Sequence, residues 1–191
     1  VQGGIEYSDA YVVDNDSRFV FQFVRSALNV GADCANYVEL TNATRDARGW
    51  RAELTDTDSG EKFECTARVI VNAAGPFVDD LNRQLGIESK HHIVFSKGIH
   101  LIVPRIVSNE KVLAFFDDTE RLFYVIPMGP RSVIGTTDER VTEAVTHVED
   151  ADRDFLLEQI NARLDLPKPL TPDDVISTRC GVRPLVVEKT D

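Results

Sequence analysis

The sequence has few of the residues that bind metals or cross-link a fold. Its 191 residues include three cysteines, four histidines and one methionine. The cysteines form no CxxC pair and the histidines no HxxxH pair, so we expect neither a disulfide framework nor a metal site. No apolar run approaches the roughly 18 residues that a transmembrane helix needs. These features predict reduced, mostly buried thiols, as in a cytoplasmic protein.

Positive charge is also scarce, because 32 acidic side chains stand against 21 basic ones and the formal net charge is −11. An acidic surface repels phosphate backbones, so nucleic-acid binding is not expected. If the ligand is an anion, its arginine partners must lie in a sheltered pocket, away from the acidic surface. The arginines in apolar or glycine-rich settings are therefore the candidates.

The chain begins at Val1, and its one methionine, Met128, is internal. No pattern of a signal peptide, a pro-segment or a tag is visible. We therefore expect that the chain is cut from a longer protein. Its hydrophobic fraction of 42% is sufficient for a packed core in one domain or two small ones.

The first part of the sequence predicts a helix followed by three strands. Apolar residues recur at helical spacing over 18–30, between an N-cap at Asp16-Ser17 and a stop at Gly31, and one helix face is expected to pack on a sheet. Alternating patterns then predict a meander with strands at 34–40, 50–55 and 63–71. The end of its last strand, Val69-Ile70-Val71, is apolar enough to be buried.

The second part predicts a sheet with few helices. A short helix over 77–85 precedes a series of strands without an intervening helix, which is typical of antiparallel pairing. These strands are predicted at 91–95, 100–104, 112–116, 122–126 and 132–135. A helix over 150–164 and a strand over 175–179 follow. The fold class is therefore α+β, with domains expected over residues 1–88 and 89–191.

Two segments carry residues suited to an anionic ligand. Small residues in Asn72-Ala73-Ala74-Gly75-Pro76 stand between a strand and a helix start, where they either admit a nucleotide diphosphate or form a tight turn. Arg183 stands between Gly-Val and Pro, where a stiffened backbone presents a guanidinium suited to phosphate or carboxylate.

Other polar groups at strand ends allow two interpretations each. Lys97 and His100 flank a glycine and either bind a ligand or are solvated. Arg121 opens an apolar strand, and the neighbouring Asp117-Asp118 offers it a surface ion pair. The turn Gly135-Thr136-Thr137-Asp138 offers hydroxyls and an acid to a ligand or to a neighbouring turn.

In this order the segments resemble those of the FAD-dependent glycerol-3-phosphate dehydrogenases and their oxidase relatives, within the D-amino-acid-oxidase-like flavoproteins. The segments that match are Val71-Asn72-Ala73-Ala74-Gly75-Pro76, Lys97-Gly98-Ile99-His100, Val125-Ile126-Pro127, Gly135-Thr136-Thr137-Asp138 and Gly181-Val182-Arg183-Pro184-Leu185. The resemblance implies that glycerol 3-phosphate is oxidised to dihydroxyacetone phosphate, with a hydride passing to FAD and electrons then to quinone or oxygen. It also implies a partial FAD-binding domain over 1–88 and a truncated substrate-binding domain over 89–191.

The resemblance assigns roles to individual residues. Arg183 is the catalytic residue, because the family's matching arginine approaches the substrate near the flavin. Substrate-binding residues, with Arg121 on the phosphate, are Arg121, Lys97, His100 and Thr137. Cofactor-binding residues are Val38 on the adenosine side, Ala74 and Gly75 on the diphosphate, and Gly181. No general base is assigned.

The sequence also departs from the family pattern. It contains no Gly-x-Gly-x-x-Gly, and it lacks the segment that follows Arg-Pro-Leu in the family. Met128 stands where many relatives have tryptophan after Ile-Pro. We therefore expect an internal fragment that is inactive alone, from a cytoplasmic parent that docks on the inner face of a membrane as the family's dehydrogenases do.

Two alternatives are open. A related FAD-dependent oxidase acting on an amine or amino acid would share the Ala-Gly-Pro turn but would not need two arginines for a dianion. A non-catalytic binding module would have kept the substrate sheet and lost the flavin domain. A Gly-x-Gly-x-x-Gly encoded upstream of Val1 would exclude the second alternative.

The missing dinucleotide-binding unit predicts that the 191-residue chain alone binds FAD weakly or not at all. The chain mixed with FAD should lose its flavin absorbance during gel filtration. Flavin that stays with the protein peak would contradict this prediction.

Overall fold

The computed structural model describes residues 3–10, 12, 16–116, 120–144 and 147–188. Contacts divide the chain into two units, Val1–Ile70 and Val71–Asp191. The division falls between Ile70 and Val71, and the domain boundary expected after residue 88 stays a prediction.

The first unit contains the predicted helix and meander. Helix α1 spans Asp16–Asn29, and Gly31, at φ +88°, ends it by donating its N–H to the carbonyl of Leu28. An antiparallel sheet follows in the order β1-β2-β3, with strands β1 (Val38–Asp46), β2 (Gly49–Asp56) and β3 (Lys62–Ala67). The prediction of three consecutive strands is confirmed, although β1 begins four residues later than expected.

The prediction of a buried strand through Val69-Ile70-Val71 is wrong. Strand β3 ends at Ala67, and the side chains of Val69 and Val71 are 71% and 82% exposed. A strand needs a neighbour for its N–H and carbonyl groups, and no described strand pairs with this segment. The apolar composition of these residues favours burial. Composition alone does not indicate whether a neighbouring strand is available to pair with them.

Burial in the first unit is also lower than expected. No residue of α1 is buried, and the side chains of Phe19, Phe21 and Phe23 are more than half exposed. The described residues therefore do not provide the sheet on which one face of α1 was expected to pack. The prediction of mostly buried thiols is wrong as well, because Cys34 and Cys65 are exposed and Cys180 is half-buried.

The second unit is built on one antiparallel sheet. Its elements are α2 (Val78–Gln84), β4 (His91–Pro104), β5 (Leu113–Phe116), β6 (Leu122–Met128), β7 (Arg131–Gly135), β8 (Glu139–Val141), α3 (Asp150–Arg163) and β9 (Ser177–Glu188). The strands lie in the order β5-β6-β7-β4-β8, and β9 also pairs with β4. This arrangement confirms the α+β class with its antiparallel sheet and flanking helices.

Strand β4 is continuous where two strands, 91–95 and 100–104, were predicted. Gly98 lies in its middle, and β9 pairs with β4 from Ser177 to Glu188, well past the end predicted at 179. The pairing supplies the hydrogen bonds that keep the glycine extended. Strand β8 was not predicted, because three residues are too few to show a pattern.

The core lies between the sheet and α3. Alternate residues of β4, Ile99, Leu101 and Val103, are fully buried and pack with Leu156 and Ile160 of α3. Because side chains on a strand alternate between faces, the residues between them point to the opposite face of the sheet. No described helix is long and apolar enough to span a membrane.

Candidate functional site

Several of the predicted site residues lie on the sheet face opposite α3. Antiparallel partners share a face, so three cross-strand pairs of β4 and β9 lie side by side there. These pairs are Ser96–Arg183, Gly98–Gly181 and His100–Arg179. We call this surface the open face. Its middle row has no side chains, because both residues in it are glycines.

The guanidinium of Arg183 is held by hydrogen bonds to neighbouring polar groups. It donates to the hydroxyl of Thr136 at 2.9 Å, to the hydroxyl of Ser96 at 3.2 Å and to the carbonyl of Thr137 at 3.5 Å. The carboxylate of Asp138 lies 3.8 Å from it and accepts a hydrogen bond from Ser96. The side chain is half-buried, so this fixed positive charge still reaches the surface.

Gly98 leaves the space that this arrangement requires. A Cβ atom added there would overlap the guanidinium of Arg183 and would lie 2.6 Å from the hydroxyl oxygen of Thr136. Nothing lies within 4 Å of a Cβ added to Gly181, so the open face is accessible at that position. The space beside Gly98 is therefore occupied by the side chain of Arg183, whereas the space beside Gly181 is open to another molecule.

His100 lies on the same face with its ring against Gly135, whose added Cβ would overlap that ring. Burial is the main cause that lowers the pKa of His100 below its usual 6.5, and the positive charges of Arg183 and Arg179 add to the effect. The imidazole is therefore neutral at pH 7, and one ring nitrogen is able to accept a proton.

Lys97 points to the opposite face and is bound to two carboxylates. Its ammonium lies 2.9 Å from Asp152 of α3 and 3.0 Å from Glu139 of β8, and its side chain is only 4% exposed. The hydrogen bonds that the ammonium donates to these carboxylates raise the pKa of Lys97, so it stays charged. The substrate-binding role that the resemblance implies stays a prediction, and the contacts observed join β4 to β8 and α3.

Arg121 and Thr137 are engaged by groups around the turn at 136–138. Arg121 donates to the carbonyl of Asp138 at 2.6 Å, and it lines an open cleft of about 260 Å³ beside the start of α3. The hydroxyl of Thr137 accepts the N–H of Ile99 at 3.0 Å. The alternative pairing of Arg121 with Asp117-Asp118 lies outside the described residues. Asp138 thus touches Arg121 through its backbone and Arg183 through its side chain.

The residues predicted to contact a cofactor are distributed over both units. Val38 opens β1 in the first unit, whereas Ala74, Gly75 and Gly181 belong to the second. Gly75 has φ +55° and open space beside its Cα. Asn72 accepts the N–H of Ala74 at 3.2 Å and donates to the carbonyl of Val78, and these bonds fix the turn. Their cofactor contacts stay predictions.

Four residues that contact Arg183 were not assigned a role from the sequence. They are Ser96, Gly98, Thr136 and Asp138. Each lies inside or beside a segment that the sequence singled out, but their link to Arg183 depends on the register of β4 with β9 and on the path of the 136–138 turn. No described cluster of three or more His, Cys, Asp or Glu residues is placed to hold a metal ion.

The buried ion pair of Lys97 predicts a stability effect. Lys97→Ala leaves Asp152, whose side chain is 11% exposed, without its cation, and should lower the free energy of unfolding by about 3–5 kcal/mol. The control Lys168→Ala, at an exposed site, should change it by less than about 0.5 kcal/mol. Urea unfolding of the two variants measures the difference, and equal stabilities would contradict the structural role of Lys97.

Comparison with known proteins gives a consistent family. The family model for FAD-dependent oxidoreductases matches residues 1–191. The chain is 31% identical over 195 residues to the aerobic glycerol-3-phosphate dehydrogenase of Escherichia coli K12, covering 100% of this chain and 38% of that protein. It is 32% identical over 187 residues to the D-erythritol 1-phosphate dehydrogenase of Brucella abortus, covering 95% of this chain and 36% of that protein.

A solved structure supports the same conclusion. The glycerol-3-phosphate dehydrogenase of Bacillus halodurans, complexed with FAD, superposes with a TM-score of 0.82 at 28% identity over 91% of this chain and 36% of that one. This chain thus spans about a third of the length of these relatives. The match over all 191 residues, together with this likeness of fold, means that the chain belongs to the FAD-dependent oxidoreductase family.

Proposed function

We propose that this chain is a fragment, with the substrate-binding sheet and part of the FAD-binding domain, of an enzyme that uses FAD to oxidise glycerol 3-phosphate to dihydroxyacetone phosphate and passes the electrons to quinone. The observation that carries the proposal is the guanidinium of Arg183, held across Gly98 on the open face by Thr136 and Ser96. The names of the relatives support a phosphorylated polyol as substrate. Peripheral contact of the parent enzyme with a membrane is part of the same proposal.

The residues of the open face suit a flat cofactor. Gly98 is buried beneath the guanidinium of Arg183, whereas Gly181 leaves its backbone exposed. The space beside Gly181, and beside Gly75 in the turn before α2, allows close approach by a large group. We propose that Gly181 lies near the flavin, Ala74 and Gly75 near the diphosphate, and Val38 near the adenosine. When bound, FAD supplies the acceptor for the two electrons of the carbon–hydrogen bond that breaks.

Arg183 and His100 then have different roles at the substrate hydroxyl. Oxidation of an alcohol removes the hydroxyl proton and leaves negative charge developing on the oxygen. The fixed guanidinium of Arg183 binds that oxygen and stabilises the charge. The neutral imidazole of His100, on the same face, accepts the proton at its free ring nitrogen. Because both groups are held in advance, little reorganisation is needed.

The D-erythritol 1-phosphate dehydrogenase among the relatives favours a second candidate substrate, a longer phosphorylated polyol. Both candidates present a hydroxyl and a phosphate to the site, and they differ in chain length. A substrate panel on the full-length, FAD-loaded enzyme separates them, with glycerol 3-phosphate, erythritol phosphate, glycine, sarcosine and D-amino acids. We expect the highest kcat/KM for glycerol 3-phosphate. Turnover of an amine or amino acid alone would overturn the proposal.

Arginine variants of the full-length enzyme test the assigned roles. Arg183→Ala should lower turnover by about a hundredfold or more, the scale of losing one positioned charge donor. Arg121→Ala should mainly raise KM, as the loss of uniform binding does. Steady-state kinetics with glycerol 3-phosphate measure both. An Arg183→Ala enzyme within about twofold of the wild type would show that the catalytic assignment is wrong.

Gly98→Ala tests the space on which Arg183 depends. The added Cβ meets the flexible end of Arg183 and the hydroxyl of Thr136, and no backbone atom is among these contacts, so the fold should survive while the guanidinium is displaced. Turnover should fall by on the order of tenfold to a hundredfold, the cost of misplacing a catalytic group. The double variant Gly98→Ala/Arg183→Ala should be no slower than Arg183→Ala alone. Additive losses in the double variant would contradict the link between the two residues.

A further inference from the structure

Arg179 is a cation on the open face that the assigned roles leave unused. It lies on β9 directly opposite His100 and is exposed. Within the described part of the chain its side chain forms no hydrogen bond or ion pair. Arg183 and Arg121, in contrast, donate to Thr136 and to the carbonyl of Asp138 respectively.

The position of Arg179 relative to Arg183 leaves room for a small molecule. Both lie on the same face of β9, four residues apart with Gly181 between them. A strand rises about 3.3 Å per residue, so their Cα atoms are about 13 Å apart. Nothing lies within 4 Å of a Cβ added to Gly181. The two long side chains therefore flank an unobstructed stretch of backbone.

The charges around this stretch favour an anion. Arg179 and Arg183 both act on the ring of His100, where their positive charges help to keep the imidazole neutral. The carboxylate of Asp138, 3.8 Å from Arg183, offsets part of that arginine's charge, and Arg179 adds a second cation to the same face. Positive charge therefore exceeds negative charge among these three groups. A guanidinium presents paired N–H donors in a planar fork that matches two phosphate oxygens.

We propose that Arg179 is a specificity-determining residue that binds the phosphate group of the substrate on the open face. This inference rests on the proposed function, in which the substrate is a phosphorylated polyol. Arg183 already has protein partners and acts at the reacting hydroxyl, whereas Arg179 keeps all its donors for a ligand. Arg179 therefore separates phosphorylated substrates from neutral polyols of the same length.

The test uses the full-length, FAD-loaded enzyme and three variants, Arg179→Gln, Arg179→Lys and the control Arg131→Gln. Arg131 is an exposed arginine that opens β7, paired with Pro104 at the other end of β4. Calorimetric titration with inorganic phosphate gives a dissociation constant, and steady-state assays with glycerol 3-phosphate give kcat and KM separately.

Arg179→Gln should raise both the phosphate dissociation constant and KM by about tenfold or more, the scale of one lost charge-assisted contact, with kcat within about twofold. Arg179→Lys should recover part of the loss, and Arg131→Gln should change neither constant. Phosphate affinities of wild type and Arg179→Gln that agree within about twofold would overturn the proposal, as would a wild type that does not bind phosphate. A wild type that binds phosphate but does not oxidise glycerol 3-phosphate would contradict the proposed function, and the titration would still decide the role of Arg179.

Discussion

The guanidinium of Arg183 lies across a strand position that has no side chain, and the geometry of the open face depends on that contact. The pairing of β4 with β9 places Arg183 opposite Ser96, and Gly98 two residues further along leaves the space. Thr136 then fixes the direction of the guanidinium. A larger residue at Gly98 would displace the guanidinium. A shift of one residue in the pairing would turn the arginine to the other face of the sheet.

Two faces of the same sheet perform different tasks. The face toward α3 carries the apolar core and the buried Lys97–Asp152 pair, which together hold the helix against β4. The open face carries His100, two arginines and a glycine row, and thus a positive potential in a strongly acidic chain. Because strand residues alternate between the faces, adjacent residues such as Lys97 and Gly98 have unrelated roles.

Much of the fold follows from local patterns, but the site depends on long-range pairing. Periodicity predicted α1, α3 and the order of the main strands, since each needs only its own residues. It did not predict that Gly98 lies inside one long strand, because β9 supplies the hydrogen bonds from elsewhere in the chain. The exposure of Val69 and Val71 has the same cause, because the sequence pattern of a segment does not indicate whether another strand will pair with that segment. Arg183 was identified from its Gly-Val-Arg-Pro context, whereas its partners Thr136 and Ser96 required the three-dimensional register.

The proposed mechanism depends on binding of the substrate to the open face, over β4 and β9. A crystal structure of the full-length enzyme with FAD and glycerol 3-phosphate tests it most directly. We expect substrate density over the glycine row, with an oxygen within hydrogen-bond distance of Arg183. Substrate density away from Arg183, with the open face covered by protein, would contradict it.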